Sequence, residues 1–468
     1  MVAQNLKAQL NSKNSGLDVG RVGTGLLPPR GAGGTGVERR TSNEMAEGMT
    51  DEFTFLHAAD LHLDSPLLGL SSRAADLASR VGQASRRAFD RLVDLAIEER
   101  CPFVVLAGDT FDGDLRDYRS GLFFLAGMNR LRGAGIKVYM IAGNHDAANR
   151  WFDKLTHTDN VRRFDHRAAH TFLDDDLRVA VHGRSFPRRD VAENLAASYP
   201  APHPSYFNVG VLHTACQGGG GENAAYAPCT LEQLVNHGYD YWALGHVHAR
   251  QILNEHPHVV HPGNIQGRSV RETGSKGVTL VRVSGGVVRG LEHRDVADVR
   301  WVHGEVDLTG AVDAEAARSA IRTVLEGLAA TAADRSLALR LVLRGETPLH
   351  AVLVRDPAGT REDVEVMAST LSATVWLERV EVRTRRPMPT HGADPTVAGR
   401  LADEVRRLGE GREVGALVER CLGEIRTRMP AGARFDDLAA RIRREVVAGG
   451  VDLALSTMAT EEGTDALR

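Results

Sequence analysis

The stretch Phe103-Val104-Val105-Leu106-Ala107-Gly108-Asp109-Thr110-Phe111-Asp112 is an apolar run that stops at a glycine and passes at once into two carboxylates. Bounded by Pro102 and Gly108, the run reads as a short buried strand, and the polar residues beyond it as the loop at its carboxyl end. The same form recurs on both sides. Phe53 to Ala59 reads as a buried strand followed by Asp60-Leu61-His62, and Ile136 to Ala142 as another followed by Gly143-Asn144-His145-Asp146. Between them, Ala88, Leu92, Leu95 and Ala96 fall at helical spacing within 84–100, and Leu122 to Leu131 reads as a second helix. Strand, helix, strand, helix, strand is the sequence form of successive βαβ units and a parallel sheet. Further short strands are expected at Leu177 to His182, Val209 to His213, Tyr241 to Leu244, Val259 to His261 and Gly277 to Val283. Residues 51–295 therefore read as one α/β domain around a sheet or a packed pair of sheets.

The chain has 468 residues, which at roughly 150 per domain allows about three domains. An apolar fraction of 42% is enough for sizeable cores, and a formal charge of -4 excludes a globally basic nucleic-acid coat, so any polyanion must meet a local patch. Cys101, Cys216, Cys229 and Cys421 include no C-x-x-C pair and are too scattered for a disulfide framework, which fits reduced thiols in a cytoplasmic protein. No apolar run approaches the roughly 20 residues that span a bilayer, so no membrane partner is expected. Residues 1–50 are Gly-dense with almost no apolar periodicity and are expected to be disordered. Arg39-Arg40 is followed by Thr41-Ser42-Asn43-Glu44 instead of an apolar core, so it is not an export signal, and Met45 and Met49 are alternative starts. Residues 296–387 alternate strand, helix (Ala314 to Leu328), strand (Leu337 to Leu343), helix (Glu362 to Leu371) and strand (Val375 to Val382), a small α+β module. Residues 388–468 read as helical, with Leu401, Val405 and Leu408, then Val414, Leu417, Cys421 and Ile425, then Leu438, Ile442 and Val446 on successive apolar faces.

The chemistry lies at the strand ends. Besides the three loops above, His213 ends a strand in Val211-Leu212-His213-Thr214, and Gly245-His246-Val247-His248 ends the next. In open α/β sheets functional groups collect beyond the carboxyl ends of strands, so these motifs deliver carboxylate, imidazole and carboxamide to one rim. Carboxylate with imidazole and no thiolate suits Mn, Fe or Zn. Two such ions about 3.5–4 Å apart clamp the attacking and leaving oxygens of a phosphoryl transfer.

In this order Asp-x-His, Gly-Asp-x-x-Asp, Gly-Asn-His-Asp, a lone His and Gly-His-x-His resemble the calcineurin-like metallophosphoesterase superfamily, whose core is a β-sandwich flanked by helices. The resemblance implies that Asp60, His62, Asp109 and His248 hold one ion, and that Asp109 bridges to a second held also by Asn144, His213 and His246. It implies that His145 is the catalytic histidine and that Asp112 orients it, with water activated between two divalent cations, Mn2+ first and Fe or Zn as alternatives.

Leu56 to Pro66, Tyr226-Ala227-Pro228-Cys229, Gly238 to His248 and His261-Pro262-Gly263-Asn264-Ile265-Gln266-Gly267-Arg268 are similar to the SbcD/YhaO group of DNA repair exonucleases. That similarity covers 53–290, extends loosely into the next module and thins beyond 390. It implies a nuclease acting on DNA, with 296–387 as a cap that presents nucleic acid and 388–468 docking an SMC-like coiled-coil ATPase. Relatives often dimerise through the phosphoesterase domain, and a homodimer stays open here.

Blander readings stand beside these. His57 lies within a strand and reads as a satisfied core histidine; Asp64 and Asp146 read as turn or supporting residues. Gly218 to Gly221 reads as a plain loop, and Arg268, Arg271 and Lys276 as solvated surface with phosphate contact the alternative. Arg383, Arg385, Arg386, Arg441, Arg443 and Arg444 read as solvated faces, and Cys101 and Cys421 as packed apolar residues. The competing functions are hydrolysis of nucleotides, cyclic phosphodiesters or phosphoproteins, and a scaffold that regulates a partner ATPase. Gly113 after Asp112 and Asp146 after His145 count against the phosphoprotein branch, and a full ligand set counts against the scaffold.

Overall fold

The computed structural model describes residues 52–65, 82–112, 118–149, 157–216, 226–331, 335–371 and 375–387, with 404, 407, 412–428, 439–440 and 442–443. The expectations for 1–50, for Gly218 to Gly221, for Arg441 and Arg444 and for most of 388–468 fall outside these residues.

The alternation read from the sequence folds as β1 (Glu52–Ala58), α1 (Ala84–Glu98), β2 (Phe103–Ala107), α2 (Tyr118–Gly133) and β3 (Lys137–Ile141), and after β3 comes the short α3 (Asn144–Ala148). The three strands pair in parallel, with Val105 opposite both His57 and Tyr139. β4 (Val161–Arg163) extends this sheet at one edge, and β11 (Gly277–Ser284) and β12 (Val287–Asp295) add antiparallel at the other, giving the order β12-β11-β1-β2-β3-β4. A second sheet is built from β5 (His170–Asp174), β6 (Val179–Gly183), β7 (Phe207–His213), β8 (Tyr241–Gly245), β9 (Gln251–Glu255) and β10 (His258–His261), in the order β5-β6-β7-β8-β10-β9. A helical turn, α4 (Leu231–Asn236), precedes β8.

Strands buried on both faces read as near-continuous apolar runs, and the one buried polar side chain in β1, His57, has both ring nitrogens hydrogen-bonded. One face, with Leu56, Val104, Leu106, Val138 and Met140, packs on Ala88, Phe89 and Leu92 of α1 and Phe124, Met128 and Leu131 of α2. The other face, with Phe55, Phe103, Val105, Tyr139 and Ile141, meets Val179, Val181, Val209, Val211 and Tyr241 of the second sheet. Phe55 stacks on Phe103 with centroids 4.8 Å apart and meets Tyr241 edge-on at 5.4 Å. The result is a β-sandwich flanked by helices, as expected.

His57 is the core histidine the sequence implied. It is fully buried; its Nε2–H donates to the Leu244 carbonyl oxygen at 3.2 Å and its Nδ1 accepts from the Tyr241 hydroxyl at 2.9 Å. Burial pushes its pKa down to about 3, and burial likewise pushes buried His182, bonded to Thr171 and Asn208, down to about 4. A histidine whose folded pKa is depressed stays neutral in the fold while the unfolded chain takes up protons below about 6.5. Its stabilisation is complete above that pH and is lost as pH falls toward the folded value. Acid titration followed by circular dichroism should show stability dropping through the window from 6.5 toward 3, by on the order of 4 kcal/mol for His57 alone. A flat profile there would show that His57 takes up its proton in the fold as readily as in the unfolded chain.

Residues after β12 form β13 (Val299–Asp307), α5 (Ala314–Thr331), β14 (Ser336–Glu346), α6 (His350–Arg355), α7 (Pro357–Leu371) and β15 (Val375–Arg385). The three strands pair in parallel in the order β13-β14-β15, each return passing through helix. Leu337, Leu339, Leu341 and Leu343 of β14 face Ile321 and Leu325 of α5 and Val364 and Met367 of α7. Arg87 and Arg91 of α1 reach Asp298 at 2.7 and 3.2 Å, and Arg91 also donates to the Ala297 carbonyl at 2.6 Å, tying this module to the sandwich.

The last described helix, α8 (Arg412–Arg428), corrects one expectation. Its buried stripe is Val418 and Leu422, with Val414 partly buried, while Leu417 is 53% exposed and Cys421 is exposed. The i, i+4 row from Val414 lies one position, about 100°, away from the face drawn through Leu417 and Cys421. Cys101 is buried as expected. Cys216 and Cys229 are brought together with their thiols hydrogen-bonded. Among the described residues no helix is long and apolar enough to cross a membrane.

Candidate metal centre

The strand-end loops meet in one place because they run side by side past their strands. Asp60 N donates to Gly108 O, His62 N to Asp109 O and Leu63 N to Thr110 O, each at 3.0 Å. The backbone at Asp60, His62, Asp109 and His246 is left-handed, with φ of 53, 41, 53 and 90°. Each such non-glycine residue costs on the order of 1–3 kcal/mol, and strain of this kind gathers at functional sites. The glycines of the motifs have a packing reason. A Cβ on Gly108 (φ +93°) would lie 2.6 Å from His213 Nδ1, and one on Gly245 would lie 2.7 Å from the same atom. Only glycine lets the two loops close on that ring.

Asp109, 2% exposed, is the hub. Its Oδ1 accepts from His145 N at 2.9 Å, and its Oδ2 lies 3.3 Å from His213 Nε2 and 3.9 Å from His62 Nε2. Asp60 accepts from His246 N at 3.0 Å and stands 3.6 Å from His248 Nε2. Three overlapping groups have ligand atoms all within 4.8 Å of one another: Asp60 with His62 and His248, His62 with Asp109 and His145, and Asp60 with Asp109 and His213. Asn144 Oδ1 is 3.0 Å from His213 Nε2. Thus the nine residues singled out from the sequence are brought together, Asp112 and His145 at the outer side and His213 deepest.

The donors fit cations for a specific reason. His62 Nδ1 is 2.7 Å from Asp112 Oδ1, and His248 Nδ1 is 2.9 Å from Glu272 Oε1. A carboxylate at Nδ1 holds a ring proton there, so in the neutral ring each Nε2 lone pair is left for a cation. Those two Nε2 atoms face each other at 3.2 Å. His213 repeats the pattern: its Nδ1–H donates to Ala107 O at 2.9 Å, which turns Nε2 toward the acceptor oxygens of Asn144 and Asp109. His246 Nε2 is buried with no hydrogen-bond partner. Lone pairs aimed at lone pairs in a buried site are repulsive unless a positive charge sits between them.

The electrostatics agree. Burial alone disfavours a charged His213, yet the charge and hydrogen bond of Asp109 override it and push the ring up to about 9, so a proton takes up the positive role. Burial pushes Asp109 up, but His213, His62 and His145 hold it well below the usual carboxylate range. Asp112 is likewise opposed by burial and held low by the hydrogen bond and charge of His62. Burial, reinforced by His213, pushes His246 down to about 3, which keeps it neutral and able to ligate.

Two supporting residues emerge. Asp146 accepts from Thr110 N, Phe111 N and Gly143 N at 3.0, 2.9 and 3.1 Å, and so clamps the Asp109 loop to the Asn144 loop. Burial and the Asp109 charge push its carboxyl up to about 7 against those donors. Asp64 takes a bidentate Arg86 at 2.6 Å and also accepts from Ser120, a purely structural role. Asp112 is shared: its Oδ1 is closer to His62 than to His145 Nδ1, which lies at 3.3 Å. Glu272 is a site residue that sequence reading passed over; the only local signal is its spacing four residues beyond Arg268.

A two-sheet sandwich carrying a buried carboxylate–imidazole–carboxamide centre for paired cations defines a metal-dependent phosphoesterase of calcineurin-like type. The comparisons agree: residues 53–250 match the family described as calcineurin-like phosphoesterase, and residues 301–385 match the middle domain of metallophosphoesterase YhaO. A Bacillus subtilis protein described as uncharacterized metallophosphoesterase YhaO is 34% identical over 363 residues, 76% of this chain and 88% of that protein. The chain belongs to this YhaO family of metallophosphoesterases. A Methanopyrus kandleri protein described as DNA double-strand break repair protein Mre11 is 26% identical over 208 residues, 41% of this chain and 44% of that protein. A dimetal phosphatase from Danio rerio superposes on 52% of this chain and 97% of its own with a TM-score of 0.33 and 13% identity.

Proposed function

We propose that this phosphoesterase is a nuclease that hydrolyses DNA phosphodiester bonds in repair, beside an SMC-like coiled-coil ATPase in the cytoplasm, with manganese as its cation. The observation that carries the reading is the pair of imidazole Nε2 atoms of His62 and His248 facing each other at 3.2 Å, set beside an Asp109 that reaches a second cluster through His213. Asp60, His62, Asp109 and His248 would hold one ion, and Asp109, Asn144, His213 and His246 the other. A pair of divalent ions held there would supply Lewis acidity and lower the pKa of water for displacement at phosphorus. DNA as substrate is supported by the relatives described as double-strand break repair proteins and by the α/β module tied to the rim of the sandwich. In this reading 51–295 is the catalytic domain, 296–387 presents nucleic acid and 388–468 docks the ATPase.

The chain's own residues divide the work. The half-exposed ring of His145 sits edge-on to His62 with centroids 4.9 Å apart, at the open side of the centre. With Nδ1 beside Asp112, its Nε2 is the atom left to face the leaving oxygen, and it gives a proton there from the doubly protonated ring, a form that burial opposes and the Asp109 charge favours. Asp112 fixes both rings, and Asp146 holds the two loops that carry Asp109 and His145. Linear duplex, single-stranded and circular DNA should be incubated with manganese and with chelator, beside bis-p-nitrophenyl phosphate. Manganese-dependent cleavage of at least one DNA form, abolished by chelation, is expected. Hydrolysis of the small ester with every DNA form intact would refute the nuclease and leave a phosphoesterase of other substrates, nucleotides and cyclic phosphodiesters among them.

A further inference from the structure

We propose that Arg268 is a substrate-binding residue whose guanidinium takes a non-bridging phosphate oxygen at the mouth of the centre, and that Glu272 is the positioning residue that holds Arg268 and His248 together. The proposal rests on the phosphodiesterase reading above, though not on DNA being the substrate.

The first observation is where the guanidinium sits. Arg268 Nη1 is 3.5 Å from Asp112 Oδ1 and Nη2 is 3.3 Å from His248 Nδ1, so the side chain, 24% exposed, lies across the open side of the cluster. The second is that its donors are not spent. Charge-assisted N–H to O bonds run about 2.7–2.9 Å. Arg86 meets Asp64 at 2.6 Å and Arg340 meets Glu378 at 2.7 Å, both bidentate, whereas Arg268 stands 3.5 and 3.7 Å from its two carboxylates. Its contact with His248 Nδ1 cannot be a hydrogen bond while that atom gives its proton to Glu272. Lys276, the buried cation of the same loop, is by contrast committed to the His248 carbonyl at 2.8 Å. A planar fork held over a phosphoryl site with its donors uncommitted is built for phosphate oxygens.

The third observation is the brace. Glu272 Oε2 accepts from Arg268 N and from Asn264 Nδ2 at 2.8 Å each, while Oε1 takes His248 Nδ1. The loop is gripped from the other side by the α/β module: Trp301 Nε1 donates to Gly267 O at 2.8 Å, and Gln266 bonds Val299 N and O at 3.1 and 2.7 Å. Arg268 therefore hangs from a loop fixed at both ends, one end on a ligand.

The test uses the full chain with manganese, bis-p-nitrophenyl phosphate as substrate and inorganic phosphate as inhibitor. Arg268→Gln should raise KM and the phosphate inhibition constant by about tenfold or more, with manganese content and Tm unchanged, and Arg268→Lys should recover part of the loss. Unchanged KM and inhibition constants, or a change that appears only together with lost manganese, would overturn the assignment. Glu272→Gln should weaken manganese binding by about tenfold, read by metal titration; unchanged affinity removes its positioning role. Intact DNA with these phosphate effects present refutes only the nuclease reading. If the ester is not hydrolysed either, calorimetric titration with inorganic phosphate decides, and undiminished binding by Arg268→Gln refutes the proposal.

Discussion

Asp109→Ala eliminates phosphodiester hydrolysis, a loss of at least about a thousandfold, and lowers the bound metal below two ions per chain. The expectation follows from position. Asp109 belongs to the cluster with His62 and to the cluster with His213, so its carboxylate serves both halves of the centre, whereas Asn144 and His246 lie on one side only. Its removal should not unfold the protein. Asp109 is a buried anion beside Asp146, whose carboxyl is pushed up by burial and then by that charge, so the metal-free variant sheds a like-charge contact that offsets the lost contacts with His213 and His145 N. His213 reports the loss independently of activity. Its ring is raised to about 9 chiefly by Asp109 acting against burial, so in metal-free Asp109→Ala it should titrate well below that value. Elemental analysis, a melt and an NMR titration of His213 separate the outcomes. Retained manganese-stimulated hydrolysis would remove Asp109 from the centre, and an unshifted His213 would show that the two side chains do not meet.

The parts of this centre that were legible in the sequence are those the backbone fixes locally. A strand buried on both faces reads as a near-continuous apolar run, and in β2 and β8 that run stops at a glycine, so Ala107-Gly108-Asp109 and Leu244-Gly245-His246 announce both the strand and what lies beyond it. Edge strands carry no such signature. β5, β9 and β12 include His170, Gln251 and Arg289 among exposed or half-exposed positions, and their pairing is decided by neighbours far along the chain. Glu272 was invisible for the same reason. Its function is a contact with His248, and nothing in the composition of the loop says that a carboxylate there will find an imidazole 24 positions away. The stripe of α8 was misplaced by one residue because Val414, Leu417 and Cys421 satisfy helical spacing as well as Val414, Val418 and Leu422 do. Packing selected the second row.

His145→Ala lowers the rate by about a hundredfold to ten-thousandfold while leaving two metal ions bound. The opposite partition is expected of Asp112→Asn. Its Oδ1 lies 2.7 Å from Nδ1 of the ligand His62 and 3.3 Å from Nδ1 of His145, so loss of its charge loosens a ligand first. Removal of such a supporting carboxylate costs about 10- to 100-fold in metal affinity. Rates measured over a manganese titration resolve the two effects. For His145→Ala the half-saturating manganese concentration stays at the wild-type value and the plateau falls. For Asp112→Asn the half-saturating concentration rises, and the plateau falls only as far as His145 depends on Asp112 for its orientation. The double variant should then show the metal affinity of Asp112→Asn and the plateau of His145→Ala, because with the ring gone the carboxylate retains only its role at His62. A plateau lower than that of His145→Ala would mean that Asp112 also reaches the substrate. A wild-type plateau in His145→Ala would take this histidine out of the chemistry and leave the proton for the leaving oxygen to come from solvent.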